Sequence, residues 1–150
     1  MSISDKVSIV SQLCEIYLNK ETWFKNKLSP AESFKYFSKL VGDGNIAVYR
    51  KNGKVLGYYE CWYVTKPQMT KFLKEDKFCA YTENITDGNI AYLADAYIDK
   101  DYRNNGVIRH LKKEFFKQAK DCSYFAGNEM AKRDGRLRIF NRRKPDAGAI

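Results

Sequence analysis

Apolar positions recur at helical spacing near the start of the chain. Val7, Val10, Leu13, Cys14 and Tyr17 fall on one face of a helix from about Ser4 to Leu18. Ser29-Pro30-Ala31-Glu32 then carries a helix-start signature: serine as N-cap, proline at the first helical position and glutamate at the third. The helix that follows places Phe34, Phe37, Leu40 and Val41 on one face. The period changes after Asn45. Two β-rich runs, from Asn45 to Lys51 and from Lys54 to Val64, flank Asn52-Gly53, a pair that closes tight hairpins because both residues accept positive φ.

Beyond the hairpin, Lys66 to Lys74 predicts a short helix with Met69, Phe72 and Leu73 on its apolar side. Phe78 to Thr82 predicts a strand, and so does Ile90 to Ile98 after a turn at Asp87-Gly88. Val107, Ile108, Leu111, Phe115 and Ala119 define a helix ending near Asp121, followed by a strand from Ser123 to Ala126. From Ala131 to Lys144 charged and apolar residues interleave, as in a strand with one charged face. This order predicts an α/β fold with helices packed on a central sheet. No repeat or linker interrupts it, so residues 1–150 are expected to form one domain, with two N-terminal helices and a basic C-terminal strand and tail over about 131–150.

Composition adds a charge. The formal net charge is +9 over 150 residues, which favours acidic partners: an acidic protein, a nucleic acid or nucleotide phosphates. Lys132, Arg133, Arg136, Arg138, Arg142, Arg143 and Lys144 are the candidate anion or nucleic-acid contacts in the tail. Cys14, Cys61, Cys79 and Cys122 are widely spaced and His110 is the only histidine, so no metal site is expected and the thiols are expected to be reduced. The N-terminus lacks a signal pattern and no apolar run approaches membrane-spanning length. A soluble, cytoplasmic protein with no membrane partner is expected. The small size also suits a phage-encoded protein, with the virion as its alternative location.

The segment with the most chemistry runs from Asp95 through Leu111. A strand leads into the polar turn Arg103-Asn104-Asn105-Gly106, and a helix starts at Val107. Such a turn presents unpaired backbone N–H groups and the positive end of a helix dipole, which together suit a phosphate or pyrophosphate.

This strand, turn and helix resemble the GNAT N-acetyltransferase superfamily, whose Arg/Gln-x-x-Gly-x-Gly/Ala turn follows a central strand. Arg103-Asn-Asn-Gly106-Val107 matches that turn, the hairpin around Asn52-Gly53 is similar to the family's second and third strands, and Asn128-Glu-Met-Ala131 is similar to its later Asn-x-x-Ala element. The resemblance spans roughly Ile46 to Ala131. It implies a mixed central sheet flanked by helices, and acetyl-CoA or another acyl-CoA as cofactor. The cofactor positions it implies are Tyr97, Ile98, Arg103, Asn104, Asn105, Gly106, Val107, Arg109 and Asn128. It implies acyl transfer to an amine on a protein or another acceptor.

Such a transfer needs a base for the amine, donors for the carbonyl oxygen and an acid for the leaving thiolate. Asp95, on the central strand before the turn, is the first candidate base. Glu60, on the neighbouring strand, is the second, or else an exposed polar position of an alternating strand. Tyr124 is the nearest proton donor after the helix. His110 is expected on a solvated helix face. Two departures from the family pattern favour an alternative, a catalytically silent binding or assembly subunit. Ile108 stands where Gly or Ala is usual, and Lys132-Arg-Asp-Gly135 holds no tyrosine where the family's general acid is common.

Overall fold

The computed structural model describes residues 2–19, 28–69, 84–128 and 137–141. Helices α1 (Ile3–Asn19) and α2 (Pro30–Asp43) precede the strands β1 (Ile46–Lys51), β2 (Lys54–Val64) and β3 (Ile90–Ile98). Helix α3 (Val107–Gln118) then leads to β4 (Tyr124–Asn128) and β5 (Leu137–Asn141). The five strands form one sheet in chain order. Every neighbouring pair is antiparallel except β3 and β4, which are parallel because α3 carries the chain back across the sheet. The α/β class with a mixed, helix-flanked sheet is therefore the observed one.

Local signals account for the element ends. The Glu32 amide donates to Ser29 Oγ at 3.2 Å and the Ser29 amide to Glu32 Oε1 at 3.0 Å, so the capping box at α2 is formed in both directions. Gly44 ends α2 at φ 74°, its N–H donating to carbonyls of the last turn. Asn52 and Gly53 take φ 52° and 79° and close the β1–β2 hairpin. Gln12 of α1 staples that hairpin: its Nε2 donates to Gly53 O at 2.9 Å, and its Oε1 accepts from Val55 N at 2.7 Å.

The sheet buries both faces. On one, Ile9, Val10, Leu13 and Tyr17 of α1 and Tyr36, Phe37 and Leu40 of α2 pack on Tyr58, Trp62, Tyr92 and Ala94. On the other, Val107, Leu111 and Phe115 of α3 pack on Tyr59, Cys61, Ala91 and Phe125. Two expected core positions lie outside: Val7 is 51 % and Phe34 48 % exposed, and Ile9 and Tyr36 fill the buried stripes instead. The approach of α3 to the sheet is close at Gly57. A Cβ there would meet Tyr97 O at 3.0 Å and the side chains of Val107 and Leu111 at 3.4 Å.

The predicted helix from Lys66 to Lys74 is described only to Met69, where it is helical, and the predicted strand from Phe78 to Thr82 lies outside the described residues. Of the basic tail, residues 137–141 are described, as β5. Among the described residues, no helix is long and apolar enough to cross a membrane.

Candidate active site

Strict alternation along β3 would put Asp95 on the same face as Ala91 and Leu93, against α3. A bulge prevents this. Glu60 pairs with Asp95 and Cys61 with Leu93, which leaves Ala94 as the extra residue. Past the bulge the facing inverts. Ala94 and Tyr97 pack with the α1–α2 core, and Ala96 and Ile98 with the α3 core. Asp95 thereby shares the α1–α2 face with its cross-strand neighbour Glu60, and its Oδ1 accepts from the Ala96 amide at 2.9 Å.

Both carboxyls are enclosed. Glu60 is fully buried and Asp95 is 4 % exposed. Burial of a carboxyl is tolerated when hydrogen bonds replace water. Tyr36 OH, from α2, donates to Glu60 Oε1 at 2.6 Å, and Tyr58 OH, two residues before Glu60 on β2, donates to Asp95 Oδ2 at 3.1 Å. The Tyr97 ring stacks on Tyr58 with centroids 5.8 Å apart. Burial, and then the negative charge of Glu60, hold the Tyr36 phenol well above the usual tyrosine range. Burial, and then the charge of Asp95, do the same for Tyr58. Both phenols therefore stay protonated and act as donors. The expectation of Glu60 as an exposed strand position is corrected here. β2 is covered by helices on both faces, so its alternation does not alternate between core and solvent.

Next to this cluster the described pairing of β3 with β4 ends. The register covers Ile90 to Leu93, with Leu93–Gly127 the last described pair, and β3 continues to Ile98. Beyond Ile98 the Asp99 amide donates to Leu56 O at 2.7 Å, tying the start of the turn to a bulged residue of β2. A 3₁₀ turn (Lys100–Tyr102) leads to Asn104 at φ 68° and Gly106 at φ 83°. Gly106 is the N-cap of α3 and offers no side-chain cap, so the first-turn amides lack the partner that a serine or aspartate would supply. Among the described residues, nothing lies within 4 Å of where a Gly106 Cβ would point. Open space over uncapped amides at a helix N-terminus fits a pyrophosphate.

Not every predicted residue meets there. Arg103 Nε donates to Ile98 O at 3.1 Å, bracing the turn against the strand end. Asn104, Asn105 and Arg109 are exposed along the turn and first helical turn, and Val107 is buried under α3. Ile108 is 45 % exposed and takes no part in the core. Tyr97 faces the tyrosine–carboxyl cluster and Ile98 the α3 side. Tyr124 pairs with Ile90, so it lies roughly 17 Å along the strand direction from Asp95. It is 47 % exposed and is not brought to Asp95. Asn128 is the last residue of β4, one position past the Leu93–Gly127 pair. His110 is exposed and packs edge-on against Tyr49. Arg138 lies on β5 opposite Gly127, and Lys132, Arg133, Arg136, Arg142, Arg143 and Lys144 lie outside the described residues. Sequence reasoning missed Tyr36 and Tyr58 as polar partners. The one available signal was the Tyr58-x-Glu60 spacing, which puts both side chains on one strand face.

The sequence matches the acetyltransferase (GNAT) family over residues 10–134. No curated protein matches it. Among solved structures it is similar to the loading GNATL domain of CurA from Lyngbya majuscula, with TM-score 0.56 and 16 % identity over 85 % of this chain and 61 % of that one. It is also similar to the GphF GNAT-like decarboxylase in complex with isobutyryl-CoA, with TM-score 0.59 and 15 % identity over 80 % of this chain. A third is YncA, a putative acetyltransferase from Salmonella typhimurium with its cofactor acetyl-CoA, with TM-score 0.53 and 14 % identity over 88 % of this chain and 70 % of that one. The chain spans about three-fifths of the first two structures, 61 % and 60 % of their lengths.

Proposed function

Because this chain belongs to the GNAT acetyltransferase family, we propose that it transfers an acyl group from acetyl-CoA or a related acyl-CoA to an amine. The observation that carries this reading is one juxtaposition. The uncapped turn at Gly106 follows the end of β3 that carries Asp95, which lies beyond the last described β3–β4 pair. The GphF and YncA structures, described with isobutyryl-CoA and acetyl-CoA, support the cofactor class.

When bound, the cofactor supplies an acyl group activated as a thioester. The first-turn amides of α3, with Arg103, Asn104, Asn105 and Arg109 around them, would hold its phosphates. The edge of β3 past Leu93, including Tyr97 and Ile98, would direct backbone donors at the thioester carbonyl oxygen, where negative charge develops. Asn128, at the end of β4, is the position that the family resemblance assigns to the pantetheine arm. Asp95 would accept the proton that the acceptor amine must lose, directly or through water. Tyr58 would hold that carboxylate in place. Asp95 is the better base of the two carboxyls because it retains some exposure and Glu60 retains none.

The net charge of +9 favours an acceptor carried on an acidic molecule. Incubating a cell lysate with the protein and isotopically labelled acetyl-CoA, then reading labelled amines by mass spectrometry, tests the proposal without presuming the acceptor. Label above the non-enzymatic background is expected. No label above background, in a protein that binds CoA, would leave a binding or assembly role in place of catalysis.

A further inference from the structure

Glu60 has no task in the transfer just described, yet it is the most enclosed carboxyl among the described residues. We propose that Glu60, held by Tyr36, is a positioning residue that sets the proton affinity of Asp95 from across the strand pair. This rests on the assignment of Asp95 as the base.

The geometry supports three linked statements. Glu60 and Asp95 are register partners on antiparallel strands, which places their Cβ atoms about 5 Å apart on one face. A negative charge at that distance in a water-poor core opposes ionisation of its neighbour. The two hydrogen bonds are divided, Tyr36 donating to Glu60 and Tyr58 to Asp95, so each carboxyl accepts from a different tyrosine. Among the described residues, the ionisable groups shown around Asp95 are Glu60 and Tyr58 of β2, Tyr97 of β3 and Tyr36 of α2. β4 contributes the apolar Ala126 to this face, and α1 contributes Tyr17, whose hydroxyl accepts from the Leu28 amide.

The division gives the two tyrosines opposite effects on one group. Tyr58 donates to Asp95 and favours its ionised form, so it weakens Asp95 as a proton acceptor. Tyr36 donates to Glu60 and favours the charged form of that carboxyl. The charge makes Asp95 a stronger acceptor, as a base working near neutral pH requires. Two carboxyls coupled in this way titrate as a pair, in two steps.

Carboxyl carbon NMR of protein labelled at Asp and Glu side chains tests this without substrate or turnover. The Asp95 signal is assigned by its loss in Asp95→Asn. Glu60→Gln should lower the Asp95 midpoint by about one pH unit or more. Tyr36→Phe should move it in the same direction by less, and Tyr58→Phe should raise it by about one unit. Substitutions that merely loosen the core would not shift one signal in opposite directions. If Glu60→Gln does not fold, the wild type suffices, because its Asp95 signal should titrate in two steps. A single-step wild-type curve, or Glu60→Gln and Tyr58→Phe moving the midpoint the same way, overturns the proposal. Failure of acyl transfer is separate. A fully active Asp95→Asn variant would remove the base assignment, while the titration alone decides whether the carboxyls are coupled.

Discussion

Glu60 and Asp95 face each other across β2 and β3, and each accepts a hydrogen bond from a different tyrosine. The pairing depends on a single extra residue, Ala94. Without that bulge Asp95 would lie under α3. A catalytic assignment on β3 is therefore a statement about the bulge as much as about the aspartate.

Asp95→Asn keeps the side-chain shape but removes proton-accepting capacity. Acyl transfer to amines should fall by about 100- to 10,000-fold. CoA binding should persist, because the turn at Gly106 is a separate element. Label incorporation from acetyl-CoA, measured beside a CoA titration, checks both halves. Full activity in the variant would pass the base role to Glu60.

CoA should raise the melting temperature of the wild type, since a ligand that binds only the folded state at a hundred times its dissociation constant stabilises by about 2.7 kcal/mol. Gly106→Pro should abolish the shift, because proline cannot adopt φ 83°. Arg103→Ala should reduce it less, through a looser turn. Ile108→Gly should leave CoA affinity equal or better, since the Ile108 side chain is exposed and outside the core. No shift at millimolar CoA would sink the cofactor assignment.

The α2 cap makes a local prediction. Ser29→Ala should destabilise the fold by about 1 kcal/mol, read from denaturant melts. The backbone hydrogen bond from Ser29 holds the Glu32 carboxyl below its ordinary value of 4.5. A lowered folded-state value means stability that is present above pH 4.5 and is lost as pH falls through the folded value. The stability gap between wild type and Glu32→Gln should accordingly narrow in acid. A gap independent of pH would contradict the cap.

Burial pushes the Cys61 thiol up to about 12, so it carries almost no thiolate near neutral pH. Brief alkylation at pH 8 followed by peptide mass spectrometry should leave Cys61 unmodified in the native protein and modify it after denaturation. Rapid native labelling would mean that the sheet–α3 core opens.

The helices, the hairpin and the strand–turn–helix around Gly106 were legible because each is encoded locally. A cap, an Asn-Gly pair and a glycine at positive φ act over a few residues. The carboxyl cluster was not legible. Asp95 and Glu60 could each be singled out, but their meeting depends on a register shift at Ala94 that no short pattern announces. Tyr36 enters from α2, whose rotation the pattern misjudged by assigning Phe34 to the core. Alternation along β2 failed for another reason. A strand covered on both sides has no solvent face for the pattern to report.

Gly57 touches no proposed ligand, yet it sets how far α3 stands from the sheet. A single methyl group there would press on the Tyr97 carbonyl and touch Val107 and Leu111. Those contacts lie at the root of the helix whose first amides are the proposed anion cradle. On that proposal the cradle is levelled from beneath, by a missing side chain on a neighbouring strand. Affinity for the proposed cofactor and the composition of the hairpin would then not be independent properties of this protein. Selection for altered CoA binding can act on β2 while every residue of the turn stays the same.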